Sequence, residues 1–236
     1  MTDLSGATGK LVVVAGGTSA AGQAVTRALL SAGARVVVVG SDAGRLATLR
    51  QDAAPAAELL STELCDLTDE AAVAELAGRI HAVHGSVDGL IHLVGGWRGG
   101  GGLAGQTDED FRFLERSLTA LRHVSRAFLE DLSASPAGRL AIVSSTAVAR
   151  PLAGGANYAA VKAASEAWAR AVAQGFAKAA RDAGTPLAAA SVIFRVTTLS
   201  GLEDTLAGAV VDLWRGDPGA LNDTVIDLSE SARAQP

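Results

Sequence analysis

Short apolar runs that do not alternate constrain this chain more than any other feature. "KLVVVAG" and "ARVVVVG" carry runs of three and four β-branched valines and are closed by glycine. A strand with no polar face is covered on both sides, which is the habit of parallel sheets sandwiched between helices. Further strands are read at "AELLSTELCDL", "VDGLIHLVGG", "GRLAIVSS", "PLAAASVIF" and "DTVIDL", giving about seven. Between them lie segments with helical spacing. "AAGQAVTRALLSAG" ends on Gly33 as its C-cap, "DAGRLATLRQ" starts from Asp42 as N-cap, and "TDEAAVAELAGRIHAVHG" starts from Thr68. A long helix is expected over Asp108 to Ser133, another over Tyr158 to Ala183, and a shorter one at "LEDTLAGAVVDLWRG". The alternation runs from end to end without linker or repeat. It predicts an α/β fold with a mainly parallel sheet and helices on both faces, as one domain over 1–236.

Composition narrows the partners. The net charge is −5 and no basic block occurs, so nucleic acid is not expected to bind. No apolar run approaches the roughly 18 residues of a membrane span. The single cysteine, Cys65, and an N-terminus without a signal-peptide pattern fit a reducing cytoplasm. His81 and His84 share a helix face, but no third ligand stands at a metal-site spacing, so no metal is expected.

Right-handed crossovers make the doubly wound (Rossmann) arrangement the leading topology, and such sheets bind ligands beyond the carboxyl ends of their strands. Gly16, Asp66, Gly95 and Ser145 all stand at strand ends in this reading. The turn "VVVAGGTSAAGQAV" directly follows the first strand and opens the first helix. Gly16 permits the sharp turn, Thr18 and Ser19 add hydroxyls, and the free N–H groups of a helix N-terminus suit a pyrophosphate. On the helix after the fifth strand, Tyr158 and Lys162 are four apart and therefore share one face. A phenol ordinarily ionises near 10. An ammonium beside it favours the phenolate and makes it a general acid/base.

Together the turn, the strand-end "SS" and "NYAAVKAA" resemble the short-chain dehydrogenase/reductase family over nearly the whole chain. The resemblance implies Ser145, Tyr158 and Lys162 as catalytic residues, with Lys162 also holding the cofactor ribose. It implies an NAD or NADP cofactor bound by Gly16, Thr18, Ser19, Gly22, Ser41, Asp66, Gly95 and Gly96, with Asp66 at the adenine ring. The second strand ends on Gly40 and Ser41, with Asp42 and Arg45 close behind, and does not choose between the two nucleotides. Several positions depart from the family pattern. Ala15 and Ala20 replace a Thr and a Gly of the first turn, and Ser117 stands where a catalytic Asn is common. Arg195 and Val196 replace a Pro-Gly pair, and the substrate-binding segment near 196–205 is shortened.

The stretch "HLVGGWRGGGG", from His92 to Gly102, takes the place of the family's Asn-Asn-Ala-Gly. Gly95 and Gly96 would let a ribose lie against bare backbone, while His92 is expected to be buried and structural. "GGWRGG" is similar to the corresponding segment of dihydropteridine reductases, which places Trp97 at the substrate. Trp97 is either a stacking surface for a planar heteroaromatic substrate or a hydrophobic lid on a glycine loop.

The expected activity is hydride transfer between a nicotinamide and a small carbonyl or alcohol. A dihydropteridine-reductase-like reaction, and a nucleotide-binding sensor or scaffold with little turnover, stand as alternatives. The alanine-rich helix after Tyr158 has small residues on more than one face, which predicts a homodimer or homotetramer.

Overall fold

The computed structural model describes residues 6–53 and 58–231, and side chains up to 229. Residues 1–5, which bear on the N-terminal reading, and Ala57, in the third-strand segment, lie outside the described residues.

Among the described residues the seven strands are β1 (Leu11–Ala15), β2 (Arg35–Gly40), β3 (Leu60–Leu64), β4 (Gly89–His92), β5 (Arg139–Ser145), β6 (Ala190–Val196) and β7 (Thr224–Asp227). They form one sheet in the order β3-β2-β1-β4-β5-β6-β7. Every pairing is parallel, including β1 with β4 and β6 with β7. The helices are α1 (Ala20–Ser31), α2 (Ala43–Asp52), α3 (Glu70–His84), α4 (Asp108–Ala127), α5 (Leu129–Ala134), α6 (Ala156–Ala183), α7 (Glu203–Asp212), α8 (Pro218–Leu221) and α9 (Leu228–Ser231). The expected doubly wound sheet is what forms.

The pleat explains the uninterrupted apolar runs. Val12 and Val14 of β1 join a core with Val25 and Leu29 of α1 and Leu206 and Val210 of α7. Leu11, Val13 and Ala15 point the other way, into a core with Leu76 and Ile80 of α3 and Val124 of α4. A strand covered on both faces, as β1 is, thus needs apolar residues at odd and even positions alike.

Local chemistry corrects three boundaries. Thr68 does not cap α3; Asp69 does, its Oδ1 accepting from the N–H groups of Ala71 and Ala72 at 2.9 and 3.1 Å. A carboxylate shared by two donors at a helix N-terminus outcompetes a hydroxyl, and Thr68 instead donates to Asp66. The long helix read to Ser133 breaks at Phe128, which has no exposure and ends α4 before α5 begins. At the end of α1 the cap is Ala32, and Gly33 follows it in the left-handed region at φ +80°. Glycine reaches that conformation without strain.

Candidate active site

Strand order reverses between β1 and β4, so the crevice opens at their carboxyl ends. Two cavities adjoin there, sharing Val94. The larger, about 410 Å³, is lined by Ser19, Ala20, His92 to Trp97, Tyr158, Lys162 and residues 196–200. The smaller, about 150 Å³, holds Gly16, Thr18, Ser41, Asp66 and Arg116.

The turn between β1 and α1 divides them. Gly16 sits at φ +79°, and a methyl on it would fall 2.8 Å from the Val94 nitrogen. Ser19 caps α1 by accepting from the Gly22 N–H at 3.1 Å, and donates to the Gly16 carbonyl at 3.0 Å. Gly22 faces neither cavity. Its missing side chain lets α1 lie against the turn, since a methyl there would fall 2.4 Å from the Gly17 Cα. Ala20, the departure from a glycine, is exposed in the first turn of α1, so its methyl stands in open crevice. The first turn of α1 holds no acidic residue, which leaves the positive end of the helix available to an anion.

In the smaller cavity Asp66 accepts from both the N–H and the hydroxyl of Thr68, at 2.9 and 2.7 Å. Those hydrogen bonds hold its carboxyl below the ordinary carboxylate value. Arg116, reaching over from α4, comes within 3.5 Å of Asp66 and lines the same cavity. Sequence reading missed it, because nothing in the spacing of α4 shows which arginine meets β3. At the end of β2, Asp42 uses Oδ1 to cap α2 through the Arg45 N–H at 2.9 Å. Ser41 is exposed beside it.

In the larger cavity Tyr158 and Lys162 meet as their spacing predicts, although α6 starts two residues earlier than expected, at Ala156. The Lys162 Nζ lies 5.8 Å from the centre of the Tyr158 ring. It donates to the Val143 carbonyl at 2.8 Å, and burial pulls it down to about 8, opposed by the Glu166 carboxylate. Burial pushes the Tyr158 phenol up, and the Ser145 hydroxyl beside it offsets part of that rise. The ammonium is therefore not what governs the phenol in the free protein. It is anchored to β5 and stands off the ring. Ser145 is 3% exposed, at the end of β5, and is brought against the phenol rather than the open crevice.

Behind Lys162, the buried Glu166 forms a two-pronged pair with Arg195 of β6, at 2.8 and 2.6 Å. Burial opposes ionisation of Glu166, but its bonds from the guanidinium keep it below the ordinary value. Arg195, read from sequence only as a lost Pro-Gly position, is thus the partner of a buried carboxylate. Ser117, in the place of the family's Asn, turns its hydroxyl back to the Leu114 carbonyl at 2.8 Å.

The glycine stretch forms one wall of the larger cavity. Gly95 brings bare backbone beside Lys162, where a Cβ would stand 3.6 Å from Nζ. At Gly96 a Cβ would come within 2.9 Å of the Phe113 ring. Trp97 is 61% exposed on the cavity wall. Gln106 pins the loop: its Nε2 donates to the carbonyls of Gly100, Gly102 and Gly154, and its Oε1 accepts from the Asn157 N–H at the start of α6. No signal in the sequence marks Gln106. Between β6 and α7 only residues 197–202 intervene, and 197–200 border the cavity.

The family model for short chain dehydrogenases matches residues 10–180. A curated relative, the 3-oxoacyl-(acyl-carrier-protein) reductase FabG of Salmonella typhimurium, is 27% identical over 159 residues. That match covers 66% of this chain and 62% of the relative, so the chain spans less than two thirds of the relative's length. Among solved structures, a putative short chain dehydrogenase from Pseudomonas syringae superposes with a TM-score of 0.82 at 20% identity, covering 94% of this chain and 96% of that one. A metagenomic short-chain oxidoreductase in complex with NADP gives 0.81 at 24%, covering 94% and 98%. At these identities the structures speak to the fold. The matched segment holds the first turn, the glycine wall and the Tyr158–Lys162 pair together. The chain belongs to the short-chain dehydrogenase family.

Proposed function

We propose that the protein is an NAD(P)-dependent oxidoreductase that interconverts a small carbonyl and its alcohol. The observation that carries this reading is the placement of Tyr158 and Lys162 in one crevice with the anion-ready turn of α1. The residues present fit a dinucleotide: two cavities flank a turn whose glycines a side chain would fill. Gly16, Thr18, Ser41 and Asp66 would hold the adenosine half. Ser19 and the α1 N–H groups, with Gly22 keeping α1 close, would hold the pyrophosphate. Gly95, Gly96 and Lys162 would receive the nicotinamide ribose. When bound, the nicotinamide supplies or accepts the hydride at its C4.

Tyr158 gives its hydroxyl proton to the carbonyl oxygen during reduction and recovers it during oxidation. Ser145 holds the phenol in place. Lys162 carries the positive charge next to the ribose, anchored by Val143 and kept from neutralising further by Glu166. The whole chain acts as a single nucleotide-binding domain, and the short segment near 196–205 leaves the substrate side open.

Reduction of a quinonoid pterin is a second reading. It is favoured by Trp97, whose indole is exposed on the cavity wall beside the "GGWRGG" backbone. Calorimetric titration with NADH and NADPH, followed by a carbonyl, quinone and pterin panel, tests both readings. Binding of at least one nucleotide and turnover of a carbonyl is the expected result; heat from neither nucleotide overturns the assignment.

Small residues on the outward side of α6, namely Ala160, Ala163, Ala164, Ala167 and Ala171, are exposed in the single chain. They support assembly as a homodimer or homotetramer through helix packing. The protein should therefore sediment above monomer mass at micromolar concentration, and a monomer there would overturn this. Among the described residues no helix is long and apolar enough to cross a membrane. A cytoplasmic setting suits the lone cysteine, Cys65, which is buried and free.

A further inference from the structure

The carboxyl end of β4 carries a buried imidazole that the acid–base chemistry above leaves unused. His92 is 4% exposed and is paired between Ala15 of β1 and Ile142 of β5. Its Nε2 lies 3.1 Å from the Ser117 carbonyl oxygen of α4. A carbonyl only accepts, so Nε2 carries the hydrogen and Nδ1 is left with a lone pair. That Nδ1 is buried with no hydrogen-bond partner among the described residues. A buried acceptor left unmatched is rare enough to need a reason.

The reason lies across the crevice. His92 lines the cavity together with Lys162. Burial, followed by the charge of Lys162, holds the imidazole neutral down to about 3. A neutral ring near a cation is an acceptor and not a rival charge. Lys162 has three N–H donors and uses one on Val143. The other ionisable groups around it are Tyr158 and Glu166 on α6, with Arg195 of β6 and Arg170 of α6 acting through Glu166, while Glu203 of α7 lines the same cavity. From α4 the group presented is the Ser117 carbonyl, already held by His92.

We propose that His92 is a positioning residue for Lys162: Nδ1 accepts a hydrogen bond from the ammonium through one bridging water, while Ser117 fixes the tautomer and plane of the ring. The proposal rests on the reading of Lys162 as part of the reacting group. It gives the Ser117 position a backbone task in place of a side-chain one.

The test uses the free protein and its own sparse composition, with three lysines and four histidines. Nitrogen NMR on labelled protein should show His92 protonated at Nε2 only, with an Nδ1 resonance that moves as Lys162 titrates. Replacing the acceptor by an apolar group, His92→Leu, should lower the Lys162 midpoint by about one pH unit, because a hydrogen bond to the charged form is lost. His92→Asn places an amide oxygen near the Nδ1 position and should recover most of that change. His92→Gln, which reaches toward Ser117 instead, should not. An Nδ1 resonance that ignores the Lys162 titration, or an unmoved midpoint in a folded Leu variant, would overturn the proposal. Should the Leu variant fail to fold, the Nδ1 measurement on the unaltered protein still decides. Nucleotide calorimetry run in parallel separates the two failures: normal binding without coupling sinks only the role of His92, whereas absent binding sinks the functional reading.

Discussion

Tyr158→Phe should lower carbonyl reduction by about 10²- to 10⁴-fold while nucleotide affinity stays unchanged. The substitution removes one oxygen from a half-buried ring that otherwise keeps its packing, so a general loss of structure is not the cause to look for. The sequence contains a single tyrosine, and this makes the experiment unusually direct. Near-ultraviolet titration of tyrosinate reads the reacting group alone and is silent in the variant. Burial raises the phenol above its ordinary value, so it is protonated throughout the neutral range. Reduction, which consumes that proton, should therefore hold its rate through neutrality and decline on the alkaline side as the phenol ionises. Oxidation, which needs the phenolate, should rise over the same interval. A Phe variant that retains carbonyl turnover would remove Tyr158 from the mechanism. One that retains pterin turnover alone would mean that pterin takes its proton elsewhere. Persistence of a biological output without turnover would favour a sensor.

Arg139→Met should destabilise the fold by about 3 kcal/mol or more, read as a lowered urea midpoint at unchanged slope. Arg139 is 2% exposed at the first position of β5, far along the sheet from the crevice. Its guanidinium donates to the carbonyls of Leu213, Gly138 and Ala188 at 2.8, 2.8 and 2.9 Å, and more weakly to Gly216 at 3.4 Å. One cation thereby ties together the start of β5, the approach to β6 and the exit of α7. Burial pulls the guanidinium below its ordinary value and Asp217 offsets part of this, but only carbonyls accept its hydrogen bonds. Methionine fills a similar volume and accepts nothing from, and gives nothing to, those carbonyls, which are left without the donor. Nucleotide affinity of the folded fraction should not change. Equal stability of the Met variant would show that the carbonyls find other donors.

The fold was legible because its information is local. Both faces of the central strands β1 and β2 are apolar, and caps such as Asp42 and Ser19 lie within a turn of what they cap. Errors arose where two local candidates competed, as with Thr68 and Asp69, or where a buried ring interrupted a helical pattern, as at Phe128. In the site, Tyr158 and Lys162 were readable because one helix presents both. Arg116, Gln106 and the Glu166–Arg195 pair were not, because each meets its partner across segments 29 to 51 residues apart. The same limit applies to the phenol. Its neighbouring lysine was evident from spacing, but the carbonyl of Val143 that draws the ammonium away belongs to another element.

Strand β1 lies inside the sheet, yet its second neighbour is β4, which begins at Gly89. A chain growing from its N-terminus will have made β1, β2 and β3 before anything exists to cover the far side of β1. Until then Leu11 to Ala15 offer a naked backbone ladder flanked by valines, a template for unwanted pairing between nascent chains. Fragments that stop at His84 should accordingly clump when expressed, and chaperones that mask extended apolar segments should associate with the ribosome-bound protein within that window.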